Sequence, residues 1–297
     1  MPEMEEIIYF KEPKLRDPYL IAAWPGMGGV AIVAAKYLIE KLKAEELGFI
    51  SPEEFFDLNG VFVQDSIVKE FQFPENKFYF VEGRGVRDWI IFTGEAQPAA
   101  NGYLLANFVL DIAEKFGVRR VHTFAAAPTH IHHTKKPKVS AAVTTSELLA
   151  ELSLFNINQL KEGSISGMNG LLLGAAKHRN IDGICLLGEI PVYTTHIANP
   201  RSSKAVLEAL IKISEMEIDL DDMDKWAKDA DKQIEDKINQ LKESFGEEAS
   251  GLIDYFQRLA DQTETPGEEQ LPEQPSDELL QDIERFLKDQ GEQKGGH

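Results

Sequence analysis

The chain has 297 residues, of which 43% are hydrophobic, and a formal net charge of -19. This length can bury the core of one large α/β domain or two modest ones, and the negative charge disfavours nucleic acid and anionic membrane surfaces as partners. No apolar run approaches the roughly 20 residues that cross a bilayer, and the single cysteine, Cys185, rules out a disulfide within the chain.

The residues up to position 50 predict one strand–turn–helix unit. An edge strand is expected at 7–10 and a buried strand at 19–24, where apolar residues run without alternation. The turn 25–29, Pro-Gly-Met-Gly-Gly, then leads into a helix at 30–42, whose apolar residues recur at spacings of three and four.

The next part of the chain predicts more strands than helices. Strands are expected at 61–63, 66–73 and 77–82, and Pro74-Glu75-Asn76 is expected to join the last two as a hairpin. A buried strand is predicted at 89–93, followed by a helix at 99–116 that Gly117 ends. Another buried strand is predicted at 120–125, an exposed strand at 138–144 and a short helix at 146–152.

A second glycine turn that leads into a helix occurs at 164–189, together with a buried strand. The Ser- and Gly-rich turn of residues 164–170 opens an apolar helix to Lys177, and a buried strand is expected at 183–188, before a helix that runs to about Met216. Two such units predict a mostly parallel sheet whose strand ends face one crevice, where a small-molecule site would lie.

The character of the sequence changes after Glu217. An acidic helical extension is expected at 219–260, packed on the core domain of residues 1–218. Residues 261–275 hold three prolines and predict a flexible linker. A terminal amphipathic helix is expected at 276–290, with one apolar stripe that is a candidate for docking on a partner or on the protein itself: Leu279, Leu280, Ile283, Phe286 and Leu287.

The turn after the first buried strand has two interpretations. Gly26, Gly28 and Ala31 match the spacing G-x-G-x-x-A, and free N–H groups at a helix N-terminus bind anions such as phosphate. Alternatively Gly26, Gly28 and Gly29 only allow a tight turn and close packing of the helix. No Gly-Lys-Ser/Thr follows, which excludes a P-loop.

The second turn is open to the same two interpretations. Ser166 or Asn169 can cap the helix, while Gly167 and Gly170 permit close approach of a ligand or of another backbone. Ser166 is not expected to be a nucleophile, because G-x-S-x-G is absent.

The remaining candidates predict no catalytic residues, metal or cofactor. Trp24 is expected to line the crevice or, as a Trp in an apolar run, to belong to the core. Glu189 is expected near the crevice, where it could accept backbone hydrogen bonds, bind an Arg of a partner or pair with Glu95 in acid–base work. His130, His132 and His133 are expected in a solvated loop beside lysines that would repel a cation.

Three segments in order carry a resemblance to a known family. Ala23-Trp-Pro-Gly-Met-Gly-Gly-Val30, Ser164-Ile-Ser-Gly-Met-Asn-Gly-Leu-Leu-Leu-Gly174 and Cys185-Leu-Leu-Gly-Glu-Ile-Pro191 resemble the proteasome assembly chaperone type 2 family. The helical extension is similar to that of bacterial members. The resemblance implies a three-layer α/β/α fold like that of nucleoside phosphorylases, cytoplasmic homo-oligomers, and a role in assembling proteasome α-subunits.

Two functions follow as hypotheses. The first is a non-enzymatic assembly factor, a homo-oligomer such as a trimer or tetramer, that binds proteasome subunits or another protein client. The second is an enzyme or binding protein that holds a nucleoside or phosphate with its two glycine turns.

Overall fold

The computed structural model describes residues 7–245, except 58–59, 62, 70–71 and 84, together with residue 258. Strands β1 to β11 are Ile7–Tyr9, Tyr19–Ala23, Glu45–Ile50, Val63–Gln64, Ile67–Val68, Asn76–Val81, Trp89–Gly94, Arg120–Thr129, Val139–Val143, Asn158–Gln159 and Asp182–Pro191. Helices α1 to α6 are Val30–Leu42, Gly102–Lys115, Ser146–Ser153, Gly167–His178, Pro200–Ser214 and Asp222–Phe245.

Nine of these strands form one sheet in the order β1-β3-β6-β7-β2-β8-β11-β9-β10. The four central strands β7, β2, β8 and β11 run parallel, while β6 and β9 lie antiparallel on either side of them. Helical connections between the parallel strands place helices on both faces of the sheet. The expected three-layer α/β/α fold is confirmed, with a sheet that is mixed toward its edges.

The pleat of β2 shows how the sheet separates two hydrophobic cores. Tyr19, Ile21 and Ala23 contribute to the core beneath α1 and α5, whereas Leu20 and Ala22 contribute to the core beneath α2 and α4. Every residue of β2 is buried. Because both faces of this strand are covered, its sequence is continuously apolar instead of alternating.

The region of residues 45–81 differs from the sequence-based expectations in two ways. Residues 45–50, for which no strand was predicted, form β3, which pairs with β1 and β6. The proposed hairpin through Pro74 does not form, because β6 pairs with β3 and β7. The short strands β4 and β5 pair only with each other among the described strands.

Helix α6 packs against the core next to α1 and α5. Met223 is fully buried, and Ala227, Ile234 and Ile238 follow it on the same buried face. The Tyr37 hydroxyl donates to a carboxylate oxygen of Asp222 at the start of the helix. This is the beginning of the acidic extension expected at 219–260.

The linker at 261–275 and the terminal helix at 276–290 lie outside the described residues. Within the described part of the chain, no helix combines the length and the apolar character needed to cross a membrane.

Candidate functional site

The two glycine turns meet at one edge of the sheet, which we call the rim: the edge at the carboxyl ends of the parallel strands. The first turn, residues 25–29, follows β2 and enters α1 through a short 3-10 turn at Met27–Gly29. The second turn, residues 164–170, leads into α4. A Cβ atom added to Gly26 would lie 3.9 Å from Nδ2 of Asn169, so the turns are direct neighbours.

Asn169 fastens the second turn to the end of β2. Its Oδ1 accepts from the backbone N–H of Trp24 at 3.0 Å, and its Nδ2 donates to the backbone carbonyl of Trp24 at 3.2 Å. The side chain is 5% exposed. Its amide therefore satisfies buried backbone groups that a neighbouring strand would otherwise bond.

Gln97, in the loop between β7 and α2, bridges the two turns and was not found by sequence reasoning. Its Nε2 donates to the carbonyl of Pro25 at 2.6 Å, and its Oε1 accepts from the N–H of Met168 at 2.9 Å. Gln97 therefore supplies the hydrogen bond at the start of α4 that Ser166 was expected to make. Ser166 is exposed and caps no backbone group with its side chain.

The backbone N–H groups of the first turn are used inside the protein. Gly28 donates to the carbonyl of Thr195 at 2.6 Å, Gly29 donates to Gly26 at 2.9 Å, and Val30 donates to Met27. Gly28 and Gly29 have φ of 61° and 58°, which glycine adopts without steric cost. An anion at this helix start would have to displace these hydrogen bonds. The structure therefore supports the interpretation in which the glycines allow a tight turn, and not the one in which they bind phosphate.

Two glycines of the second turn allow neighbouring atoms of the protein to approach its backbone closely. A Cβ atom at Gly170 would overlap the carbonyl oxygen of Ile165, and one at Gly167 would lie 3.1 Å from Nε2 of Gln97. Gly167 also has a positive φ of 71°. Both glycines thus serve the packing of the turn against its own protein.

An apolar pocket opens beside the first turn, and we call it the rim pocket. Its volume is about 480 Å³. It lies between the first turn, the first turns of α1 and the segment before α5. The lining residues are Gly26, Met27, Gly29, Ile32, Val33, Thr195, His196 and Ala198. Met27 is 43% exposed although it is apolar, so the mouth of this pocket is a hydrophobic surface open to solvent.

Trp24, Glu189 and Glu95 each make contacts that stabilise the fold. Trp24 is fully buried, so its side chain does not line the pocket, and its indole packs against Phe92. Glu189 accepts a hydrogen bond from the backbone N–H of Lys138 at 2.9 Å. Glu95 accepts one from the backbone N–H of Glu75, also at 2.9 Å. Each carboxylate therefore holds a neighbouring segment in place.

The histidine loop is not solvated as expected. His132 and His133 are 9% and 3% exposed, and Nδ1 of His133 lies 3.1 Å from the Tyr193 hydroxyl. Burial lowers the pKa of His132 to about 4 and that of His133 to about 3. Among the described residues, no group of three or more His, Cys, Asp or Glu side chains is placed to hold a metal ion.

Comparison with known proteins finds relatives over most of the chain. An uncharacterized protein of Methanocaldococcus jannaschii is 31% identical over 232 residues, which cover 77% of this chain and 86% of that protein. The crystal structure of PbaB of Pyrococcus furiosus, described as an archaeal proteasome activator, is 30% identical and has a TM-score of 0.67. The match covers 78% of this chain and 99% of PbaB.

A more distant structure shares the fold. The proteasome-assembly chaperone homologue of Mycobacterium tuberculosis is 20% identical, with a TM-score of 0.63 over 74% of this chain and 94% of that one. The sequence model of the PAC2 family matches residues 20–238, which include both glycine turns and most of α6. The resemblance drawn from the three sequence segments is thereby confirmed, and the chain belongs to the PAC2 family.

Proposed function

We propose that this protein is a non-enzymatic assembly factor that binds protein subunits at the rim pocket and works as a homo-oligomer in the cytoplasm. The observation that carries the proposal is the pairing of an open apolar pocket with a first turn whose N–H groups already bond to the protein. Burial of a partner's apolar side chains in such a pocket is favourable, whereas a phosphate would find few free N–H donors there.

Proteasome subunits are the partners that the family relationship favours. The similar protein PbaB is described as a proteasome activator. The free Cys185 of this chain fits a reducing compartment such as the cytoplasm.

The docking proposal is tested by giving the rim pocket a charge. Met27→Asp is expected to weaken binding to purified proteasome α-subunits of Pyrococcus furiosus by about tenfold or more, because a carboxylate would enter an apolar contact. Binding is measured by biolayer interferometry. Leu154→Asp is the matched control, since Leu154 is 81% exposed after α3. Equal effects of the two substitutions, or no binding by the unmodified protein, would refute the proposal.

The nucleoside or phosphate hypothesis makes a different prediction. Under that hypothesis millimolar nucleoside or phosphate would raise the melting temperature by mass action. We expect no rise, because the first-turn donors are occupied. A ligand-dependent rise that Gly28→Ala abolishes would overturn the assignment in favour of a small-molecule site.

Homo-oligomer formation is supported by an exposed apolar hairpin. Strands β4 and β5 and the segment before them carry four apolar side chains that are each more than half exposed: Val61, Val63, Ile67 and Val68. Such a patch on a soluble protein marks an interaction surface. A second copy of the chain is the partner we propose.

Light scattering tests this part of the proposal. The mass in solution is expected to be three or four times 33.3 kDa. Val63→Thr with Val68→Thr should lower it, because these two residues pair across the hairpin on one face, and both changes keep a β-branched side chain while they remove apolar contact. Val86→Thr is the control, as Val86 is 52% exposed elsewhere. A monomeric mass for the unmodified protein would contradict oligomer formation.

A further inference from the structure

Helix α6 runs toward the rim. Its first residues contact the second half of α1, where Lys41 pairs with Asp222 at 2.9 Å. Further along the helix, Asp231 pairs with Arg201 in the first turn of α5. Glu235 then lies 3.8 Å from Nε2 of His133, in the loop that follows β8. The chain therefore leaves α6 beyond the same edge of the sheet at which the rim pocket opens.

The sequence that follows carries an apolar stripe suited to this pocket. Positions 279, 280, 283, 286 and 287 are Leu, Leu, Ile, Phe and Leu, at spacings that place them on one side of a helix. An amphipathic helix with such a stripe binds apolar grooves. We propose that the segment 279–287 occupies the rim pocket of its own chain, so that the protein carries an internal competitor for the surface to which partners bind.

The length of the connection favours binding within one chain. Leu279 follows Phe245 by 34 positions. The linker that the sequence predicts between Ala260 and Leu279 spans about 24 Å on average as a coil, and Phe245 lies roughly 20 Å along the helix axis beyond Asp231 at 1.5 Å per residue. The effective concentration at such a distance is on the order of millimolar, well above that of a segment on a micromolar chain outside the oligomer.

Charge at the pocket edge agrees with this occupant. Lys36 is exposed one helical turn after Ile32 and Val33, which line the pocket. The segment carries Asp282, Glu284 and Arg285 between its apolar positions, which gives it a net charge of -1. A cation beside an apolar pocket fits an acidic amphipathic segment better than a basic one.

Thiol labelling of the full chain tests the proposal. Met27→Cys places a reactive thiol at the pocket mouth. The native Cys185 does not interfere, because it is fully buried and burial raises its pKa to about 12. We expect Ile283→Glu with Phe286→Glu to speed labelling at position 27 at least tenfold, which is a lower bound because losing two buried apolar side chains corresponds to about a hundredfold or more. Leu154→Cys with the same two changes is the control, and its labelling rate should not change.

A disulfide experiment distinguishes one chain from two. Met27→Cys with Ile283→Cys, oxidised at micromolar protein, should form a disulfide within each chain. Cross-linked dimers on a non-reducing gel, or unchanged labelling in the first experiment, would overturn the proposal.

This inference rests on the proposed function of the rim pocket, but its failure can be told apart from failure of that function. Both experiments use no partner protein. If the thiol of Met27→Cys is unprotected while Met27→Asp still weakens partner binding, only the internal competitor is refuted. If that thiol is protected but no partner binds, only the assembly role is refuted.

Discussion

At the scale of single residues, Asn169 and Gln97 decide how the rim is built. Asn169 bonds both backbone groups of Trp24, and Gln97 joins Pro25 to Met168. The sequence indicated Asn169 as important but predicted a helix cap. It carried no signal for Gln97. Each of these contacts joins residues at least 71 positions apart, and a local pattern carries no information about such pairs.

The glycines of α4 provide a residue-scale prediction. Gly170→Ala should lower the free energy of unfolding by about 1–3 kcal/mol, because the added Cβ would overlap the carbonyl oxygen of Ile165. Gly174→Ala in the same helix should raise it by about 0.5–1 kcal/mol, because nothing lies within 4 Å of the added atom. Chemical denaturation measures both. A stabilising Gly170→Ala would show that the second turn does not pack closely on α4.

At the scale of elements, periodicity predicted the helices better than the strands. The apolar spacing after Asp221 predicted a helix with one apolar face, and Met223, Ile234 and Ile238 are buried on α6. Strand β3 was missed because Glu45 and Glu46 are exposed near the end of α1, while its buried residues are only Leu47, Gly48 and Ile50. The pairing of β3 with β1 and β6, and not its own composition, makes it a strand.

The packing of α6 can be tested with one buried and one exposed position. Met223→Ala should lower the free energy of unfolding by about 2–5 kcal/mol, because Met223 is fully buried in the core beside α1 and α5. Lys225→Ala, on the exposed side of the same helix, should change it by less than about 0.5 kcal/mol. Denaturation midpoints by circular dichroism give the comparison. Similar values for the two variants would mean that α6 does not pack on the core.

At the scale of the whole molecule, buried neutral histidines link stability to pH. Burial lowers the pKa of His122 from 6.5 to about 3, with smaller contributions from Arg120 and Arg87. The pKa values of His132 and His133 are lowered in the same direction. The folded pKa is below the unfolded one, so the unfolded chain binds more protons at acid pH. Stability is therefore lost as the pH falls below about 6.5.

Substitution of one of these histidines measures its contribution to the pH dependence of the free energy of unfolding. His122→Phe should reduce the loss of unfolding free energy between pH 7 and pH 5 by about 2 kcal/mol, because a phenyl ring does not take up a proton. Urea denaturation at the two pH values measures this, with His178→Phe on the exposed end of α4 as the control. The same pH dependence in His122→Phe as in the unmodified protein would contradict the assignment.

The sequence by itself determined the main helices and the central buried strands, though not β3, and it placed the chain in its family. Apolar spacing and glycine position are local properties, so the alternation of β2, α1, α2, α4 and β11 can be inferred without contacts. Only the tertiary structure decided the order of the strands, the burial of the histidine loop and the meeting of the two turns through Asn169 and Gln97. These features depend on hydrogen bonds and packing between residues far apart in the chain, whose free energies no local pattern records.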